Sequence, residues 1–167
     1  MSEQIVDPDF VIASITQAWN SEVYTSCLND ELHQSCASPE AQDAKQLFIG
    51  KKWQEVDDLI LLETCPSPFL IGNAPIRYYL GAFLLCAVRN AGNPNCPLMD
   101  YLVEFELKLP RKPRALDHFR ARFDLLAYSQ KHSVACFLQF CHQYYSAFNA
   151  RAARRVLYSH DNYWAIG

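Results

Sequence analysis

At 167 residues, half of them apolar and 13% aromatic, the chain has enough hydrophobic surface for one dense core and too much for intrinsic disorder. Five glycines argue against a turn-rich all-β protein, and a net charge of −3 with a pI near 5.9 argues against a general nucleic-acid binder. No basic-then-apolar leader opens the chain, and its longest apolar stretch, Tyr78 to Val88, falls far short of the roughly 20 residues a membrane span needs, so a cytosolic protein with no membrane partner is expected.

The first helix is predicted to start at Asp7-Pro8, an N-cap followed by an N1 proline, with Val11, Ile12, Ile15, Ala18 and Trp19 on its apolar face. Asn20 to Ala37 is polar and weakly periodic, a loop or a short irregular helix. Ser38-Pro39-Glu40 repeats the start signal and leads into a helix closed by Gly50. Trp53 to Leu62 has mostly helical spacing, and Thr64 to Gly72, with two prolines, is a connection. Asn73 is then expected to cap a helix running to Arg89. Ile76, Tyr79, Leu80, Phe83, Leu84, Ala87 and Val88 form one face, and Tyr78, Ala82 and Leu85 make the other side apolar too, which is the pattern of a buried central helix. Gly81 in its middle costs about 1 kcal/mol against alanine, so another helix backbone is expected to approach closely there.

Ala91 to Pro97 is a turn-rich loop. Leu98 to Leu109 fits a helix through Leu98, Leu102, Phe105 and Leu109, and a strand through the alternation of Val103, Phe105, Leu107 and Leu109; helix is preferred. Pro110 and Pro113 end it. Helices Ala115–Leu126 and Tyr128–Phe148 follow, and Asn149 caps a last helix carrying Ala153, Val156, Leu157, His160 and Trp164. The expectation is an all-α single domain over residues 1–167, a bundle of about six to seven helices, with Asn73–Arg89 central and Tyr128–Phe148 packed on it.

Seven cysteines without a C-x2-C pair indicate neither a disulfide framework nor a zinc ribbon, and Cys86, Cys136 and Cys141 lie in apolar helices as small hydrophobes. Cys27, His33 and Cys36 are the best metal candidate, three soft ligands in one polar stretch, with Cys65 or Cys96 as a distant fourth. His132 and Cys136, at i and i+4, can meet on a helix face, but no oxyanion element accompanies them and packing is the simpler reading. Lys108, Arg111, Lys112, Arg114, Arg120 and Arg122 form the strongest basic run, which a solvated face explains better than phosphate binding does. Residues 1–64 carry twelve acidic against three basic side chains, and residues 65–167 six against twelve, an asymmetry that can steer a charged partner. No phosphate-cradling glycine loop, nucleophile elbow or H-E-x-x-H occurs, and no cofactor is indicated.

Three pieces carry a resemblance: Gly50-Lys51-Lys52-Trp53, Arg77-Tyr78-Tyr79-Leu80-Gly81-Ala82-Phe83-Leu84, and Arg122-Phe123-Asp124-Leu125-Leu126 leading through Gln130 to Val134, Phe137 and Leu138. With Tyr163-Trp164, they resemble a bacterial family of small all-helical domains of unknown function, over roughly residues 45 to 164. The family pattern has a proline after Tyr-Leu, where this chain has Gly81. The resemblance implies a helical scaffold and a bacterial cytosolic setting, and brings no catalytic residues. The expected function is a non-enzymatic protein-binding module of the kind bacteria use as toxin-neutralising immunity proteins, with Glu55, Asp57, Asp58 and Glu63 meeting a basic toxin domain. The alternatives are a small enzyme or zinc protein using Cys27, His33 and Cys36, and a nucleic-acid binder using the 108–122 run.

Overall fold

The structure, a computed structural model, describes residues 6–34, 38–64, 71–93, 96–144, 147–158 and 163–164, and every regular element among them is a helix. Asp7 starts α1 (Pro8–Trp19) as predicted: its Oδ1 accepts the Asp9 N–H at 3.1 Å, meeting a donor that the helix itself leaves without a partner. Val11, Ile15, Ala18 and Trp19 turn inward. The polar stretch that follows contains a true helix, α2 (Ser26–Gln34), which buries Leu28 and Leu32 one turn apart. Helix α3 (Pro39–Gln46) starts at its predicted proline but ends short of Gly50, which closes the following turn at φ +75°.

The helix expected over Trp53–Leu62 is instead a single 3-10 turn (Trp53–Glu55), an extended Val56 and the helix α4 (Asp58–Thr64). The break has a physical cause. Trp53 is held by its indole N–H on the Trp19 carbonyl (3.1 Å) and by its main-chain N–H on the Tyr78 hydroxyl (3.3 Å), and Asp57 then restarts the helix by accepting the Leu59 N–H at 2.8 Å.

Helix α5 (Asn73–Arg89) is the buried centre, with every residue from Tyr78 to Val88 inside. Its cap is Gly72, at φ +91°, and not Asn73, which is the first helical residue. Glu31 of α2 reaches across to accept the Ala74 N–H at 3.1 Å, so a carboxylate from another helix serves this N-terminus. Helix α6 (Leu98–Tyr101) runs into a π-turn (Leu102–Glu106), which settles the helix-or-strand choice: Val103 and Leu107 are buried, whereas Phe105 between them points out, 66% exposed.

After α7 (Pro113–Phe123), the helix expected to run to Phe148 stops earlier, as α8 (Tyr128–Tyr144). Helix α9 (Ala147–Leu157) folds back on it, burying Ala152, Ala153, Val156 and Leu157, with His142 Nδ1 3.0 Å from the Ala150 carbonyl oxygen. Asn149 therefore lies inside α9 and does not cap it. Trp164 follows α9, and His160 falls outside the described residues. Helix α8 packs chiefly on α1 and α9 and only lightly on α5, because α1 lies between them. The α1–α8 seam is antiparallel: Val6 N–H donates to Gln143 Oε1 (2.7 Å), the Ser14 and Ser133 hydroxyls pair at 2.9 Å, and Gln130 donates to Glu22 at 2.7 Å. One continuous apolar cluster runs from Val6 to Trp164.

The nearest group to Gly81 is the ring of Trp19, and not a helix backbone. A Cβ placed there would lie 2.8 Å from Trp19 Cγ and 2.9 Å from Cδ2. Gly81→Ala should therefore destabilise the protein by about 1–2 kcal/mol, overpacking outweighing the helix-propensity gain of about 1 kcal/mol. The penalty should shrink in a Trp19→Phe background, since the two positions share one contact. Urea midpoints of the four chains measure both effects, and a G81A variant more stable than the parent would refute the packing account.

Candidate binding groove

The π-turn sets the geometry of a broad groove. Its Leu107 N–H reaches back to the Leu102 carbonyl at 2.8 Å, and the widened turn sends Glu106 inward and Phe105 outward. Glu106 has no exposed side-chain surface and pairs with Arg122 Nη1 of α7 at 2.7 Å, while its Oε2 has no hydrogen-bond partner. Burial pushes the Glu106 carboxyl above the usual range, and the Arg122 guanidinium opposes that shift. Arg122 also donates to Asn73 Oδ1 (3.4 Å), and Arg77 of α5 donates to the Ala121 and Arg122 carbonyls at the end of α7. The turn is fastened on its other side by Trp164, whose indole N–H donates to the Leu107 carbonyl at 2.8 Å.

Against this fixed wall lies α9, and between them opens a groove of about 710 Å³. Phe105, Leu109, Ala152 and Val156 give it an apolar floor, and Lys108, Arg111 and Arg155 stand on its rim with one carboxylate, Glu104. Glu104 Oε2 pairs with Lys108 Nζ at 3.4 Å; its Oε1 is buried without a hydrogen-bond partner. Arg155 and Tyr158 are shared with an adjoining hollow of about 500 Å³ that Arg151 and Arg154 also line.

The residues expected to meet a partner lie elsewhere. Glu55 and Asp57 are exposed at the 3-10 turn and the start of α4, Glu55 Oε2 accepting the Lys52 N–H at 2.8 Å. Asp58 is half-buried between Arg89 (3.4 Å) and the Asn90 amide (3.2 Å), and the side chain of Glu63 lies outside the described residues. Of the metal candidates, Cys27 is exposed on α2, whereas the His33 side chain and the whole of Cys36 and Cys65 lie outside the described residues. Cys96 is buried. No group of three metal-ligating side chains gathers among the described residues.

His132 Nε2 and Cys136 Sγ do meet, at 3.6 Å, but burial pushes the thiol up, away from the thiolate a nucleophile needs. Burial likewise raises Cys141, and it pushes Cys86, beside Asp58, up to about 12. The basic run divides: Lys108, Arg111, Lys112, Arg114 and Arg120 are exposed, whereas Arg122 is committed to Glu106. No helix among the described residues is long and apolar enough to cross a membrane.

A family model described as a family of unknown function (DUF6714) matches residues 11–166. The chain belongs to this family. The DUF6714 match includes the Trp19–Gly81 contact, the Glu106–Arg122 pair and both walls of the groove, and it extends the expected span of roughly 45 to 164 back into α1. No curated protein and no solved structure matches the chain. Membership in DUF6714 assigns no site residue.

Sequence reasoning missed the groove because its walls lie some forty positions apart; the available signal was the pair of basic, amphipathic stretches, 104–111 and 151–158. The buried carboxyl beneath it leaves a pH signature. Its pKa is raised on folding, so its contribution to stability is present below the unfolded value near 4.5 and is lost as pH rises through the folded one. Relative to the parent, Glu106→Gln should therefore gain stability between pH 4.5 and pH 8, and urea unfolding of both chains at those two pH values tests this. A stability difference that does not move, or that moves the other way, would contradict the raised carboxyl.

Proposed function

We propose that the chain is a non-enzymatic protein-binding module, and that it serves as a toxin-neutralising immunity protein whose acidic edge meets a basic toxin domain. The observation that supports this reading is the pairing of fixed carboxylates with an exposed leucine. Glu55 and Asp57 are each oriented by a main-chain N–H, and Leu59 stands beside them 68% exposed. Charges held in place before binding lose little freedom on binding, and they both steer the encounter and fix its register. An apolar side chain among them supplies the desolvated centre that such contacts need.

A hollow of about 140 Å³ lined by Trp53, Gln54, Val56 and Leu85 adjoins the edge and suits a single side chain of the partner. Asp58, already paired with Arg89, orients the edge more than it recognises the partner.

The test is co-purification with the product of the neighbouring gene, which this reading requires to be a basic toxin. The wild-type chain should form a complex and protect cells from that protein. Glu55→Lys with Asp57→Lys should weaken binding at least about tenfold and abolish protection. Equal binding by the doubly reversed chain would remove the acidic edge from the interface.

A further inference from the structure

We propose that the groove between the π-turn and α9 is a second binding site, for an extended acidic peptide segment carrying one apolar anchor residue. It is built from different elements than the acidic edge and has the opposite charge. Among the described residues, its two adjoining hollows bring five cations, Lys108, Arg111, Arg151, Arg154 and Arg155, against the one carboxylate of Glu104. That imbalance selects an anionic occupant.

The apolar content selects a peptide among anions. Phe105 and Tyr158 are 66% and 60% exposed, large aromatic surfaces placed on either side of the groove. Between them Leu109 and Val156 make a floor that an aliphatic or aromatic side chain can cover. Glu104 argues in the same direction. A phosphodiester backbone brings only acceptors to a wall where the partly exposed Glu104 carboxylate is an acceptor too, whereas a peptide brings main-chain N–H donors.

The spacing on α9 fits an extended segment. Arg151 and Arg155 share one face of α9 at i and i+4, and Tyr158 follows the last helical residue at i+7, a run of about 10 Å at 1.5 Å per residue. Alternate side chains of an extended chain stand about 7 Å apart, so two acidic residues flanking one intervening position meet Arg151 and Arg155, and the next residue on that side reaches Tyr158. Arg155 is held for this role by its own Nε–H bond to the Arg151 carbonyl at 3.2 Å.

The experiment uses the full chain and a peptide labelled with fluorescein on its N-terminal amine, Glu-Asp-Glu-Asp-Leu-Asp-amide, with three comparison probes: the same peptide with glycine for leucine, its all-lysine counterpart, and a single-stranded oligothymidylate of matching charge. Saturable binding of the acidic peptide is expected, weakened at least about tenfold by Arg151→Glu with Arg155→Glu and again between about 50 mM and about 500 mM salt. Tyr158→Ala and the glycine peptide should each lose several-fold, which a purely electrostatic surface would not show. Both α9 arginines are exposed, so an unchanged melting temperature confirms that the double variant folds. Tighter binding of the oligothymidylate than of the peptide, or no saturable peptide binding up to about 1 mM, overturns the proposal.

Discussion

The contact between Trp19 and Gly81 is the constraint on which the rest of the packing depends. An indole ring occupies the space where a side chain on α5 would begin, so α1 approaches the central helix at a depth that only glycine permits. A mid-helix glycine costs about 1 kcal/mol of intrinsic propensity, and here the cost is offset by complete burial of a tryptophan side chain. The same residue joins a third element. Its indole N–H donates to the Arg77 carbonyl at 3.0 Å, and its own carbonyl receives the Trp53 indole N–H. The place of α1 between α5 and α8 follows from this one seat.

From that seat a chain of polar contacts runs from the 3-10 turn to the π-turn, part-buried at Arg77 and Arg122. Trp53 donates to Trp19, Trp19 to the Arg77 carbonyl, the Arg77 guanidinium to the Arg122 carbonyl, and the Arg122 guanidinium to Glu106 under the π-turn. A buried polar group without a partner costs about 1–3 kcal/mol, so each link holds two elements in one arrangement. All three tryptophans obey the same rule: each indole N–H ends on a main-chain carbonyl, Trp164 doing so on Leu107. Tryptophan thus serves here as a rigid apolar wedge with one directional bond, and direction is what a mostly aliphatic core lacks.

The helices were legible where the signal was local. Asp7-Pro8 marked α1 correctly because an N-cap and an N1 proline act within one turn, and the all-round apolar Tyr78–Val88 marked the central helix because burial on every side needs no partner to be specified. Misjudged positions are those where a distant group decides. Asn73 has a capping side chain, yet Gly72 turns the chain and Glu31 of α2 supplies the bond. Trp53 begins a helically spaced run, yet its two bonds to Trp19 and Tyr78 stop the helix after one turn. Helix α2 was hidden by its polarity, although Leu28 and Leu32 carried the one-turn spacing. For the candidate sites the same division holds. Residue type marked Glu55 and Asp57 as exposed acids, but the groove exists only because α9 folds back against the π-turn, which no local pattern in 104–111 announces.

The charge asymmetry of the sequence also takes a different form once folded. Among the described residues two ion pairs join separate elements, Asp58 with Arg89 and Glu106 with Arg122, so these charges hold helices together and contribute little to an outward field. Among the charges left to face solvent, acids gather around Leu59 at the start of α4, and cations gather around Phe105 and Tyr158 at the π-turn and α9. With a Debye length of about 8 Å at physiological ionic strength, surface charges act over the width of a side chain or two. Each surface therefore presents its own sign to whatever approaches it, and a net charge of −3 describes neither. The Trp19–Arg77–Arg122 chain ties the 3-10 turn that leads into the acidic surface to the π-turn that walls the basic groove, so one element of each surface is held by the same run of contacts.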